Sequence, residues 1–233
     1  TAAATGGAIR IEIVNYIMIN NSIIRGNNAK KLGGGLLIRS SDHIKMLFCT
    51  VIKNKALSGG GSFLEFFRTF EIKGCMFIAN IAQKQSGAVQ IDSGQKYIDL
   101  YSTFSLNKAT LSGGALCLQE IMSSQIWYSR YLDNYSKKNG GAILAKTSTL
   151  RLKSIFVQTN RAKQGGGLFI INSVTYIIKT MFYENCANSR GLLGGSAFNC
   201  QNCDLFVIQF CKFVNNSAVG STGGAIVLSD VLT

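Results

Sequence analysis

A pair of small residues recurs along the chain at intervals of about 27 residues, and this repeat constrains the fold more than any other feature. Each pair is Gly-Gly except Ser86-Gly87, and an alternating run such as Ala88-Val89-Gln90-Ile91 follows it. The second residues of the pairs are Gly7, Gly35, Gly61, Gly87, Gly114, Gly141, Gly167, Gly195 and Gly224. The pattern predicts a corner at each pair, where glycine permits a positive φ or a close backbone approach, followed by a short strand.

A second signature lies about 20 residues after each glycine pair and reads apolar, two variable residues, Asn, one variable residue, then a small residue. The asparagines are Asn27, Asn54, Asn80, Asn107, Asn134, Asn160, Asn185 and Asn216. If residues one period apart lie above each other, their side-chain amides stack about 4.8 Å apart and hydrogen-bond along a common axis. We therefore expect an asparagine ladder that sets the register.

Together the two signatures predict an all-β fold, a right-handed parallel β-helix of eight to nine coils with about 27 residues in each coil. Leucine-rich repeats have a similar length, but the sequence lacks their leucine spacing and their helical or tight return leg. An antiparallel sandwich has no reason to repeat at a fixed interval. We expect residues 1–233 to form a single β-helix domain.

The ends of the repeat array carry a further expectation. The first repeat begins at Gly6, and the last one is incomplete at Thr233. Soluble solenoids usually carry a polar or helical cap, and neither end shows one. The expectation is that the chain is part of a longer solenoid, or that subunits associate end to end into a filament.

The pairing of a Gly-Gly-Ala-Ile motif with a Phe-x-x-Asn motif resembles the repeats of chlamydial-type polymorphic membrane proteins. The first motif occurs at 6–9, 140–143 and 223–226, and the second at 77–80, 104–107, 182–185 and 213–216. Similar repeats occur in large surface proteins of ciliated protists. The resemblance implies a right-handed parallel β-helix, a cell-surface or secreted location, and adhesive or structural work.

Some parallel β-helices cleave acidic polysaccharides, so the carboxylates need attention. Cleavage of a glycosidic bond needs two carboxylates on one face, and the best candidates are Glu65, Asp92 and Glu120. Counted from their corner glycines, they fall on alternate faces of the strands and do not share a side. His43, the only histidine, lies in what reads as a loop. We predict no catalytic residue and no enzyme, with a polysaccharide lyase or glycoside hydrolase as the alternative.

The cysteines leave two interpretations open. Cys49 and Cys75 occupy the same column of adjacent repeats, so they are a candidate disulfide or a pair of packed thiols. One further bridge could form among Cys200, Cys203 and Cys211. Cys200 and Cys203 lack the second pair of ligands that a zinc site needs, so we expect no metal and no cofactor.

Glycan acceptors are predicted at two sequons. Asn20 and Asn215 each begin an Asn-x-Ser sequence beside the asparagine ladder. A third sequon begins at Asn134, where a glycan would not fit because that residue belongs to the ladder.

The charge of the chain limits its partners. Twenty-four Lys and Arg against 11 Asp and Glu give a net charge of +13, which favours anionic partners. The cations are scattered along the sequence without a recognised nucleic-acid motif, so we expect no nucleic acid, and no run is long enough to be a transmembrane segment. The sequence predicts an extracellular or cell-surface structural and adhesive scaffold that self-associates. A module that binds an anionic polysaccharide or another cell-surface ligand is the alternative.

Overall fold

The computed structural model describes residues 6–188, 194–220 and 223–229, and all regular structure within them is β-strand. The first four coils contain β1 (Ile9–Glu12), β2 (Tyr16–Asn20), β3 (Ile23–Arg25), β4 (Leu36–Leu47), β5 (Thr50–Ile52), β6 (Lys55–Ala56), β7 (Ser62–Lys73), β8 (Met76–Ile78), β9 (Ile81–Ala82), β10 (Val89–Leu100), β11 (Thr103–Ser105) and β12 (Lys108–Ala109).

The remaining strands continue the same order. They are β13 (Leu116–Trp127), β14 (Arg130–Leu132), β15 (Tyr135–Ser136), β16 (Ile143–Lys146), β17 (Thr149–Lys153), β18 (Phe156–Gln158), β19 (Arg161–Ala162), β20 (Leu168–Ile171), β21 (Val174–Ile178), β22 (Met181–Tyr183), β23 (Cys186–Asn188), β24 (Phe198–Gln201), β25 (Leu205–Gln209), β26 (Lys212–Val214), β27 (Ser217–Val219) and β28 (Ile226–Ser229). We number coils 1 to 8 from β1, β4, β7, β10, β13, β16, β20 and β24.

The strands form three parallel sheets that run along the axis of a solenoid. The first sheet has 13 strands and includes β1, β4, β7, β10, β13, β16, β20, β24 and β28. The second has eight strands, from β3 to β26, and the third has seven, from β6 to β27. Each strand pairs with its counterpart one coil away, which confirms the predicted all-β parallel solenoid with about 27 residues per coil.

The interior is built from columns of like side chains. In the second sheet Phe77, Phe104 and Tyr131 stack face to face, with ring centroids 4.8 and 4.7 Å apart. All three rings are fully buried. At about 25 cal/mol per Å², each ring contributes roughly 4–6 kcal/mol of gross burial free energy, which makes apolar packing the main stabilising term.

The asparagines occupy one continuous hydrogen-bonded column between the second and third sheets. Asn107 shows the pattern: its Nδ2 donates to Phe77 O at 2.9 Å and to Asn134 Oδ1 at 3.0 Å. Its Oδ1 accepts from the backbone N and the Nδ2 of Asn80 at 3.0 and 3.1 Å. Equivalent bonds join neighbouring members from Asn27 to Asn216. Each amide therefore holds the backbone of two adjacent coils in register.

The corner glycines occupy two adjacent columns, so the predicted alignment of one column is wrong by a residue in four coils. Strand register places Gly7, Gly34, Gly60, Gly87, Gly114, Gly141, Gly166, Ser196 and Gly224 in the first column. It places Ala8, Gly35, Gly61, Ala88, Ala115, Ala142, Gly167, Ala197 and Ala225 in the second. Gly195 precedes its column, which Ser196 fills.

In three of these four coils, coils 2, 3 and 7, the reason for the shift is that the coil begins with three glycines rather than two, whereas in coil 8 Ser196 follows the glycine pair. In Gly33–Gly35, for example, the predicted column uses the last glycine, Gly35, whereas the strand register places Gly34 in the first column. In the first column the constraint is a close backbone approach: a Cβ added to Gly114 would overlap Gly141 O. The positive φ belongs instead to the preceding residue, such as Gly140 at 63° or Ser86 at 55°.

The candidate disulfide between Cys49 and Cys75 is wrong, since both are free thiols. The two residues are neighbours in one buried column, as expected, but each thiol is engaged by the backbone. Cys49 Sγ lies 3.3 Å from Leu47 O, and Cys75 Sγ lies 3.3 Å from Met46 O. Cys200 and Cys203 form a disulfide, and Cys211 is free.

Candidate functional site

The third sheet carries the most distinctive surface of the solenoid. Its strands are two or three residues long, and the inward residue of each is a small, mostly buried one such as Ala82 or Ala109. The outward residues before and after that small residue are therefore close together on one side of the coil. These outward positions are rich in lysine and arginine.

The cations of this surface are brought together from six coils. We call the basic face the exposed residues Lys30, Lys31, Lys55, Lys84, Lys108, Lys137, Lys138, Arg161 and Lys163. In each of coils 1 to 6 the segment from the ladder asparagine to the following glycine turn contains no Asp or Glu. The sequence-based description of these cations as scattered misses this arrangement. Counting each cation from its ladder asparagine, rather than along the chain, would have found it.

The carboxylates that pair with cations lie on the first sheet. Arg39 Nε contacts Glu65 Oε1 at 2.5 Å, and Lys45 Nζ lies 3.5 Å from Glu71 Oε2. Arg10–Glu12 and Arg68–Asp42 are the other ion pairs on this side. Across the part of the chain that the structure describes, no basic-face residue has a carboxylate partner within ion-pair distance. The exposed carboxylate Asp133 lines a groove together with Lys108 and Arg161, so the positive charge of the basic face is compensated only in part.

Shallow grooves run along the basic face. One, of about 480 Å³, is lined by Tyr135, Lys137, Arg161 and Lys163 among others. Another, of about 320 Å³, is lined at the opposite end by residues that include Lys30, Lys55, Leu57 and Ile81. Both grooves have the small inward residues as their floor and the long outward side chains as their walls. A groove walled by cations suits an extended anionic chain better than a compact ligand.

The structure corrects the expectation for the acidic residues. Asp92 pairs in register with Glu65, so these two carboxylates share a face, contrary to the parity argument. The glycine triplet at Gly59–Gly61 shifts coil 3 by one residue and so reverses the predicted parity. Glu120 directly follows Gln119, the register partner of Asp92 in the next coil. It lies at a corner with φ 56°, where its Oε2 accepts a hydrogen bond from Ser93 Oγ.

Asp92 is the carboxyl most affected by this arrangement. Its pKa is raised from 3.8 to about 6, mainly by burial and to a smaller extent by the negative charges of Glu65 and Glu120. Gln90 Nε2 donates to both carboxylate oxygens, at 3.3 and 3.1 Å, which opposes the rise. The described residues contain no group of three His, Cys, Asp or Glu that could hold a metal ion.

His43 lies in the middle of strand β4 and not in a loop, which corrects the expectation for this residue. Its Nδ1 is 2.9 Å from Thr69 Oγ1, its register partner in the next coil, and the side chain is exposed. Asn20 and Asn215 are both exposed, whereas Asn134 is buried. Glycosylation at Asn20 and Asn215 stays a prediction.

Asp99 is a fully buried carboxyl that the sequence did not single out. It lies in β10 and faces the interior, where Ser129 Oγ donates to Oδ1 at 2.9 Å and Tyr131 Oη to Oδ2 at 3.0 Å. Burial raises its pKa from 3.8 to about 7, although hydrogen bonds from Ser102, Ser129 and Tyr131 lower it. The folded chain therefore retains a proton between pH 4 and pH 7 that the unfolded chain releases.

We expect this proton to make the chain more stable in mild acid. Because the folded-state pKa of Asp99 is the higher one, the free energy of unfolding falls as pH rises from about 4 to about 7. Between pH 7 and pH 5 the gain is about 2 kcal/mol, or roughly 4–9 °C in melting temperature. Thermal unfolding of the wild type and of Asp99→Asn at pH 5 and pH 8 measures it.

The Asp99→Asn variant should keep only the smaller pH dependence of the same sign that Asp92 contributes. Asp133→Asn is the matched control, since that carboxylate is exposed and accepts a bond from Thr159. A melting temperature that rises with pH, or one that responds to pH equally in Asp99→Asn and the wild type, would contradict the assignment.

Comparisons with known proteins add little to the geometry. No family model matches the chain. Metabotropic glutamate receptor-like protein R of Dictyostelium discoideum is 27% identical over 170 residues, which are 72% of this chain and 9% of that protein. The chain thus spans about a tenth of that relative's length. The resemblance to polymorphic membrane proteins stays a prediction.

Among solved structures, a weak similarity to a resistance protein is found. QnrB1, a plasmid-mediated fluoroquinolone resistance protein, aligns over 87% of this chain and 91% of its own, with 12% identity and a TM-score of 0.22. That similarity is too low to carry an argument. Within the described residues, no helix is long and apolar enough to cross a membrane.

Proposed function

We propose that the chain is an extracellular, rod-like adhesive module that binds acidic polysaccharides through its basic face. The observation that carries the proposal is a face with exposed cations from six coils and, among the described residues, no carboxylate in the same segments. A flexible polyanion can contact many such charges at once. Each contact is weak in water, but their sum along a stiff scaffold is large.

An extracellular location is supported by two features. The disulfide between Cys200 and Cys203 is a bond that persists in oxidising compartments. Asn20 and Asn215 are exposed at their sequons, where a glycan would meet no packed side chain. The relative from Dictyostelium discoideum has a receptor-like name, which agrees with a surface location.

End-to-end association stays a prediction. It is supported by inward-facing apolar side chains of the outermost described coils, Ile9 and Ile11 in coil 1 and Phe213 in coil 8, which are only partly buried although their register partners in the next coil are fully buried. A second copy stacked in register would cover them and pair the free strand edges. Filaments in electron micrographs of concentrated protein would support it, and short separate rods would count against it.

Binding to the basic face is tested by removing three of its cations. The variant Lys55→Gln/Lys108→Gln/Arg161→Gln should bind a heparin column or a polyuronate more weakly by about 100-fold at low salt. This estimate takes about 1 kcal/mol for each cation near a strongly anionic surface. Binding of the wild type should weaken as salt is added, because exposed charges are screened.

The matched control removes the same charge from other faces. Lys73→Gln/Lys146→Gln/Lys179→Gln takes away three exposed lysines of the first sheet and its corners, and it should bind nearly as the wild type does. Equal losses in both variants would contradict the assignment to the basic face. Tighter binding to single-stranded DNA than to the polysaccharides would indicate a nucleic-acid partner. New reducing ends in the polymer would instead indicate a polysaccharide-cleaving enzyme.

A further inference from the structure

The cations on the first wall of the basic face recur at every second coil. This wall is the outward column directly after the asparagine ladder, which contains Asn28, Lys55, Ile81, Lys108, Tyr135 and Arg161 in coils 1 to 6. The cations stand in coils 2, 4 and 6. Uncharged residues, among them the exposed side chains of Ile81 and Tyr135, stand in the odd coils.

On the second wall of the basic face the cations stand in the odd coils instead of the even ones. It is the column just before the glycine turn. Its register follows from the hydrogen bond that Lys84 N donates to Leu57 O, and from the bridges of the next residue: Leu32 with Ser58, Gln85 with Ser112, Ser112 with Asn139, and Asn139 with Gln164. The column contains Lys31, Leu57, Lys84, Leu111, Lys138 and Lys163 in coils 1 to 6. Through the first five coils its cations stand in the odd coils and leucines in the even ones. Lys163 in coil 6 departs from the alternation.

The two walls together place a cation alternately on the left and on the right as one moves along the axis. Adjacent coils are about 4.8 Å apart, so each wall repeats its charge at about 10 Å, and the two series are offset by one coil. In coils 1 to 5 an uncharged residue stands opposite each cation of the two walls, for example Leu57 opposite Lys55 and Ile81 opposite Lys84, whereas in coil 6 Lys163 stands opposite Arg161. The grooves described above lie between these walls.

We propose that the ligand is an unbranched polyuronate in an extended ribbon, with one carboxylate on every sugar, bound parallel to the solenoid axis. This inference rests on the proposed function. In such a ribbon, formed by β-1,4 linkages, each sugar is turned by half a rotation from the last, so successive carboxylates point to opposite sides. The rise of one sugar is close to the rise of one coil. Each carboxylate then faces a cation on one wall, and each uncharged edge faces Ile81, Tyr135, Leu57 or Leu111 on the other.

The test compares two ligands of equal charge and different shape. A β-1,4-linked mannuronate hexamer is a flat ribbon, whereas an α-1,4-linked guluronate hexamer of the same length is buckled and presents its carboxylates at a different spacing. We expect the wild type to bind the mannuronate hexamer at least tenfold more tightly in titration calorimetry at constant salt. Equal affinity for the two hexamers would overturn the inference.

A variant of unchanged composition tests the role of the alternation. Ile81→Lys/Lys108→Ile moves one cation of the first wall by a single coil between two exposed register partners. It should lose the preference for mannuronate while retaining salt-dependent binding to heparin, and its melting temperature should stay close to that of the wild type. A preference that survives the exchange would overturn the inference. Failure of both hexamers and of heparin to bind would refute the proposed function itself.

Discussion

Replacing Gly114 by alanine should destabilise the solenoid by more than about 4 kcal/mol, a loss of the size that follows steric overlap in a packed interior. The added Cβ would overlap Gly141 O in the next coil and approach backbone atoms of Tyr135 at 2.8 Å. None of these atoms can move without breaking the pairing of adjacent coils. Urea-induced unfolding followed by circular dichroism measures the change in free energy.

The matched control is Gly61→Ala, which stands in the neighbouring column. That column already holds Ala88, Ala115 and Ala142 in the next three coils, and a Cβ added to Gly61 would lie 2.7 Å from Ala88 O, a contact that a small backbone shift relieves, in contrast to the full overlap at Gly114. We expect a loss of no more than about 1–2 kcal/mol, within the ordinary range of point mutations. If the two variants unfold at the same denaturant concentration, the assignment of the glycines to two columns is wrong.

Replacing Asn107 by alanine should cost about 2–6 kcal/mol. The change leaves Phe77 O and the backbone N–H of Asn80 without their partners in the buried interior, and each unpaired group costs roughly 1–3 kcal/mol. The ladder neighbours Asn80 and Asn134 also lose a side-chain partner. Thermal and urea-induced unfolding of the purified variant measures the loss.

Asn28→Ala is the control for the ladder, because Asn28 is exposed and lies next to a ladder member without belonging to the column. Its loss should stay within about 0.5 kcal/mol, as for other surface substitutions. A variant at Asn107 that is as stable as this control would show that the asparagines do not set the register.

The sequence was sufficient to predict the repeat and its fold, because the glycine and asparagine signatures are each tied to one position of the coil. Asn107, for example, falls in the predicted column without any adjustment. The sequence does not show in the same way which glycine of each corner occupies the first column. In a triplet such as Gly59–Gly61 any adjacent pair fits the pattern, and the pairing of Ser62 with Val89, in a coil that has no triplet, decides between them.

The error of one residue at that triplet had a chemical consequence. It assigned Glu65 and Asp92 to opposite faces, although they are register partners, and so it concealed a pair of adjacent carboxylates. Side chains of a strand alternate between the two faces of the sheet. An error of one residue at the start of the strand therefore assigns every later side chain to the wrong face. The acidic pair could have been found only from coordinates or from an alignment that fixed the phase.

The basic face was missed for a different reason. Lysines such as Lys55 and Lys108 are far apart along the chain, and no short motif joins them. They come together only because each occupies the same place relative to its ladder asparagine. The predicted register of Cys49 and Cys75 was right as well, yet register alone does not determine whether adjacent thiols are oxidised.

The most direct measurement is a crystal structure of the chain with the mannuronate hexamer bound. We expect the sugar to lie along the groove of the third sheet, with successive carboxylates beside Lys55, Lys84, Lys108 and Lys138 in turn. A hexamer bound on the first sheet near Glu65 and Asp92, or basic-face lysines that point to different sides of the molecule, would contradict it.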